Sequence, residues 1–131
     1  MRLCTSLLAA AALTLLLSAG AQTQSVILIE MSEFAFRPAT IHLTASRPVR
    51  LVLANRGQIA HQFETGYLRP LPMTIVSDTL HVEVPGIDVI RLDPGGTARL
   101  EFLPRKKGHF VFFCAIEGHR EAGMPGALEV R

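Results

Sequence analysis

Cys114, His119 and Met124 place a thiol, an imidazole and a thioether in one short stretch of the chain, Cys114-Ala115-Ile116-Glu117-Gly118-His119-Arg120-Glu121-Ala122-Gly123-Met124. These are soft or borderline donors, the kind that select copper over magnesium or calcium. Four residues separate Cys114 from His119 and four separate His119 from Met124. At about 3.3 Å of reach per residue, that is enough chain for each side chain to curl back toward one point. Gly118, Gly123 and Gly126 punctuate the stretch and let the backbone turn tightly. Copper sites built on Cys, His and a distant Met need a second imidazole. His61 is the sequence's candidate for it.

Each of these residues has an ordinary alternative reading. Cys114 can be an inert buried thiol or half of an intermolecular disulfide, His61 a core histidine bonded to a carbonyl, His119 an exposed loop residue and Met124 core filler. All four would have to be ordinary at once, at this spacing and around one cysteine, so the joint reading favours a metal. His42, His81 and His109 are the remaining histidines. A solvated surface role is expected for His81, and an added copper-handling role for His81 or Met73 is the alternative.

The elements that would position the four donors are strands. Cys114 ends the apolar run Phe110-Val111-Phe112-Phe113, which reads as a buried strand. Ile59, His61 and Phe63 share a face by period two in a short strand after the turn signal Asn55-Arg56-Gly57. Further strands are predicted at 25–29, 40–44, 49–55, 88–92, 97–102 and 127–130, with Asp93-Pro94-Gly95-Gly96 a strong turn, while 33–38 carries an aromatic at every second position before a Pro break. Residues 66–86 are broken by Gly66, Pro70, Pro72, Pro85 and Gly86. Within them, 74–84 is open between a hairpin, an edge strand and a short helix. No stretch shows a helical period over ten or more residues. The expected fold is all-β, an antiparallel Greek-key β-sandwich of seven to eight strands. In it the loop between the last two strands lies at one end, and His61 is carried to that end by the sheet.

At 131 residues the chain suits one domain. Arg2, the apolar run Leu7 to Leu17 and the small residues Ala19-Gly20-Ala21 read as a cleaved signal peptide over residues 1–21. The apolar run is too short for a membrane span. The mature domain is then 22–131, exported to the periplasm or secreted. Cys4 is lost with the leader, which leaves Cys114 as the single thiol of a chain in an oxidising compartment, a setting in which metal ligation protects it. One of the 13 basic side chains, Arg2, also falls in the leader, leaving 12 against 11 acidic ones. So neither a nucleic-acid footprint nor an acidic tail is present.

Residues 22–131 resemble the bacterial cupredoxins, the plastocyanin- and azurin-like blue-copper proteins. The resemblance rests on Gly108-His109-Phe110-Val111-Phe112-Phe113-Cys114 running into Gly118-His119 and Gly123-Met124-Pro125-Gly126, on the opening Phe34-Ala35-Phe36-Arg37-Pro38-Ala39-Thr40-Ile41, and on the Asn55 turn before His61. It implies one type 1 copper ion per chain, with His61, Cys114 and His119 as equatorial ligands and Met124 as the weak axial one. Two positions depart from many members: Glu117 stands where Pro is common, and Gln62 where Asn or Ser is common. Both fall where a residue orients ligands and tunes the metal. A carboxylate facing the ion would favour Cu(II) and lower the potential, whereas a loop glutamate is expected to face solvent.

The leading expectation is a non-enzymatic electron-transfer protein that cycles Cu(I)/Cu(II). Phe110 and Phe112 would form an apolar shell at the sulfur. His119 would be the edge for electron entry, and Arg120 and Glu121 would orient a transient redox partner of a monomeric chain. The alternative is an envelope copper carrier, storage or resistance protein with the same ligands. A fragment of a multicopper oxidase would require His-x-His pairs or a second ligand cysteine, and the sequence has neither.

Overall fold

The computed structural model describes residues 20, 22–119, 121–122 and 124–131. The expected leader, apart from Gly20, lies outside the described residues, and so do Arg120 and Gly123. Among the described residues, eleven short strands form two stacked sheets: β1 (Ser25–Ser32), β2 (Ala35–Arg37), β3 (Thr40–Leu43), β4 (Val49–Asn55), β5 (His61–Glu64), β6 (Met73–Val76), β7 (His81–Val84), β8 (Val89–Leu92), β9 (Thr97–Phe102), β10 (Gly108–Phe113) and β11 (Pro125–Val130). One sheet runs β2-β1-β4-β9-β6-β7 and the other β3-β11-β10-β5-β8. No α-helix occurs among the described residues, and the 3-10 turn Gly66–Leu68 lies between β5 and β6. No described helix is long and apolar enough to cross a membrane.

The sandwich is as the sequence predicts, with two differences. More strands form than the expected seven to eight, because β6 and β7 arise within residues 66–86 and the aromatic run before Pro38 forms the short β2. The sheets are also mixed, not purely antiparallel: β1 pairs parallel to β4, and β3 parallel to β11. Parallel neighbours cannot be joined by a tight hairpin, so each of these pairs closes across sequence-distant segments. The stretch left open at 74–84 is the β6–β7 hairpin, with Met73 opposite Val84 and Val76 opposite His81.

Alternation explains the core. In β4, Val49, Leu51 and Leu53 face inward and meet Phe102, Leu100 and Ala98 of β9 across the ladder. From the other sheet Ile41, Leu43, Phe63, Phe112, Leu128 and Val130 are buried against them. Phe36 stands edge-on to Phe112, with ring centroids 5.0 Å apart, and Phe63 lies 4.9 Å from Phe112. Opposite Phe112 on β11 is Gly126, where a Cβ would fall 2.1 Å from the ring. The residue has no side chain because the phenyl occupies that space. This aromatic cluster lies directly below the end of β10, where Cys114 emerges.

Candidate metal centre

β5 and β10 are neighbours in the five-stranded sheet, with Phe113 opposite Glu64. This pairing brings residue 61 to residue 114 despite the long sequence separation. His61 opens β5 and, like Phe63, points inward. Cys114 follows β10 immediately. His61, Cys114 and His119 form a buried group whose donor atoms all lie within 4.8 Å of one another. His119 Nδ1 stands 3.3 Å from Cys114 Sγ, and the two imidazole centroids are 5.1 Å apart. Met124 is buried in the same loop, and its backbone is bonded to both neighbours: Cys114 N–H donates to Met124 O at 3.2 Å, and Met124 N–H donates to His119 O at 3.1 Å.

The loop between β10 and β11 holds its shape by its own backbone. His119 N–H donates to Ile116 O and Ala122 N–H to Gly118 O, and Gly118 takes a positive φ of 81° that suits glycine. The His61 side is braced differently. Asn55 is buried, and its Nδ2 donates to Ile59 O and to Leu92 O, both at 2.9 Å, while its Oδ1 accepts from Gly57 N–H. One amide thereby ties the loop before His61 to β8. Gln62 N–H points at Cys114 Sγ at 3.3 Å, a hydrogen bond that stabilises a thiolate.

Do these residues suit a metal? Both ring nitrogens of His61 are buried without a hydrogen-bond partner. Buried polar atoms are otherwise almost always satisfied, so the ring is arranged for something other than protein. Its Nε2 faces Gly57, where a Cβ would stand 2.9 Å away, and Glu33, whose Oε1 is 3.9 Å away and too far for a hydrogen bond. Nδ1 is left as the free donor. Burial pushes the His61 pKa down, the neighbouring His119 adds to this, and Glu33 opposes it. The balance favours the neutral imidazole, the form that ligates. A neutral imidazole, a second imidazole, a thiol and a thioether make a donor set for copper.

Three contributors are not tied to the site by the sequence pattern. Glu33 and Phe34 form the two-residue turn between β1 and β2, with Phe34 at φ 60°, and this turn reaches both histidines. Phe34 lies edge-on to the His119 ring at 5.2 Å, and Glu33 faces His61. The Glu33 carboxylate accepts a short hydrogen bond from Gln58 N–H, which is the main reason its pKa lies below the usual carboxylate value. Gly57 is the third, since a side chain there would fill the space beside His61. A two-residue hairpin turn was the available signal for the first two, but nothing in residue type says which turn meets which ligand.

Other expectations sort plainly. Phe112 is fully buried in the aromatic cluster, but Phe110, about 13 Å back along the strand from Cys114, packs against Tyr67 instead, with centroids 4.6 Å apart and the rings tilted by 47°. It is not part of an apolar shell at the sulfur. Ile59 is 43% exposed and precedes β5, so it does not share the inward face of His61. Glu117 is exposed, facing solvent as a loop glutamate should. Met73 is a core residue and His81 an exposed one at the opposite end of the hairpin, so the two do not converge. Glu121 is exposed; its expected companion Arg120 lies outside the described residues.

A copper-ligand set at the rim of a two-sheet β-sandwich defines the class, and a family model described as a cupredoxin-like domain matches residues 5–124. The chain belongs to the cupredoxin-like family, and it is a copper-binding member of it. It is 36% identical over 118 residues to the copper-resistant cuproprotein CopI of Rubrivivax gelatinosus, covering 86% of this chain and 70% of that protein. It is 27% identical to the protein of the same name from Pseudomonas aeruginosa, over 86% of this chain and 79% of that one. Among solved structures, auracyanin B aligns over 85% of this chain and 91% of its own, with a TM-score of 0.59 and 20% identity. A multicopper oxidase aligns with a TM-score of 0.65 and 18% identity, but the chain spans only 44% of its length. At such identities these two structures speak for the fold alone.

Proposed function

We propose that His61, Cys114, His119 and Met124 hold one copper ion in a type 1 site and that the protein carries single electrons. The observation behind this reading is the ready-made cage: three buried donor atoms within 4.8 Å, set by paired strands and a self-bonded loop. Copper in such a cage supplies a Cu(I)/Cu(II) couple, with a potential tuned by the axial ligand and by the surroundings of the cysteine sulfur. The chain's own part is to keep geometry fixed between the two states. Asn55 and the β5–β10 pairing fix His61, the Gln62 N–H steadies the sulfur, and Met124 is buried in the loop that also carries Cys114 and His119. His119, 6% exposed, is the least buried of the four, and Phe34, edge-on to its ring, is 42% exposed. This edge suits a small, transient contact with a redox partner. The leader read over residues 1–21 places the mature monomer, 22–131, in the periplasm or outside the cell, and no catalytic step is assigned to it.

The names of the two CopI relatives favour a second reading, in which the same cage serves copper resistance by carrying or storing the ion. Exchange separates the two. The Cu(I)-loaded protein is mixed with a competing Cu(I) chelator, and its electron-exchange rate is measured in parallel. Electron transfer predicts many redox cycles within the lifetime of the bound ion. Release to the chelator faster than redox cycling would overturn that reading in favour of the carrier.

A further inference from the structure

The outer face of the five-stranded sheet carries a second group of metal-type donors, away from the cage. The register sets Glu129 of β11 opposite His42 of β3 on one side and opposite His109 of β10 on the other. The three side chains therefore stand in one row across three adjacent strands, on one face. The carboxylate is shared between the rings. Glu129 Oε2 lies 3.1 Å from His42 Nδ1, and Oε1 lies 3.8 Å from His109 Nδ1. The side chains are 59%, 84% and 25% exposed for His42, His109 and Glu129, so both rings are open to solutes.

We propose that His42, Glu129 and His109 form a second metal site, for a divalent cation of the borderline class, with Cu(II) preferred over Zn(II). The donor set argues for the class. Two imidazoles and a carboxylate suit Cu(II) and Zn(II), and with no imposed geometry Cu(II) binds more tightly. A cation entering between carboxylate and rings meets one nitrogen from each flank and an oxygen from the middle strand, and water completes its shell. As ion pairs at this exposure the three residues add little to stability, so the row is not explained as a structural brace. Arg131 is the one competing cation described at the carboxylate, with Nη2 3.4 Å from Glu129 Oε2. Its side chain is 79% exposed and can turn into water when a dication takes that oxygen. His109 lies about 16 Å back along the strand from Cys114 and on the outward side, so the two sites load independently. The inference does not rest on the electron-transfer reading.

The test is a titration of the copper-loaded full chain with further Cu(II), followed by electron paramagnetic resonance and repeated with Zn(II) as competitor. The expected result is one additional Cu(II) with a nitrogen and oxygen ligand spectrum and no new thiolate absorption, displaced only by a large excess of Zn(II). His42→Ala and His109→Ala should each abolish it, and Glu129→Gln should weaken it. His81→Ala, which removes an exposed histidine outside the row, should leave it intact. Thermal melting checks that the variants are folded. No additional Cu(II), or an additional Cu(II) that survives both His42→Ala and His109→Ala, would overturn the proposal.

Discussion

The two sides of the cage are built by opposite means. His61 comes from a strand whose approach is braced by a buried asparagine and whose ring is packed against Gly57 and Glu33. Cys114, His119 and Met124 come from one loop whose described residues are held by backbone hydrogen bonds within the loop. A remote donor needs a framework to fix it, whereas clustered donors need only a loop of the right length. The division also says where change should matter: Glu117 between the loop donors is exposed, whereas Asn55 and Gly57 on the His61 side are bonded or tightly packed.

Substitutions can break or sharpen this contrast. The largest effect is expected from Cys114→Ser, which should eliminate the thiolate-to-Cu(II) absorption of the loaded protein; colour that survived would refute the loop's role. Next, Asn55→Ala should destabilise the metal-free protein by about 1–3 kcal/mol, because Ile59 O and Leu92 O lose their donor in a buried setting. Chemical denaturation measures this, and an unchanged midpoint would show that the His61 wall is not braced by that amide. On the loop side, Met124→Leu should raise the reduction potential and Met124→Gln should lower it, with the fold retained in both; voltammetry showing neither shift would mean that Met124 is not axial. Glu33→Gln should raise the potential slightly, since a carboxylate 3.9 Å from the His61 ring favours the more positive state of the site. The smallest effect belongs to Glu117→Gln, where an exposed side chain should leave the potential unchanged within error. A clear rise there would bring the loop glutamate into the tuning of the site.

The same contrast decides what could be read from the chain. Cys114, His119 and Met124 were legible because their spacing is local, and the alternation in β4, β9 and β10 was legible because a buried face repeats every second residue. The parallel β1–β4 and β3–β11 pairings were not, since alternation is the same whichever way a neighbour runs. Phe110 was misplaced for a related reason: period two gives the face but not the depth, and its ring ends beside Tyr67 instead of at the sulfur. The part played by the Glu33-Phe34 turn was not legible either, because its contacts with His61 and His119 are set by how the sheets stack, which no local pattern encodes.

The central claim is that His61 and the Cys114 loop share one copper ion. The most direct measurement is the visible and electron paramagnetic resonance spectrum of the Cu(II)-loaded protein, compared with that of His61→Gly. The account predicts an intense thiolate-to-copper band with a type 1 resonance, changed in the variant and restored when imidazole is added. A spectrum without that band, or one that His61→Gly leaves untouched, would contradict it.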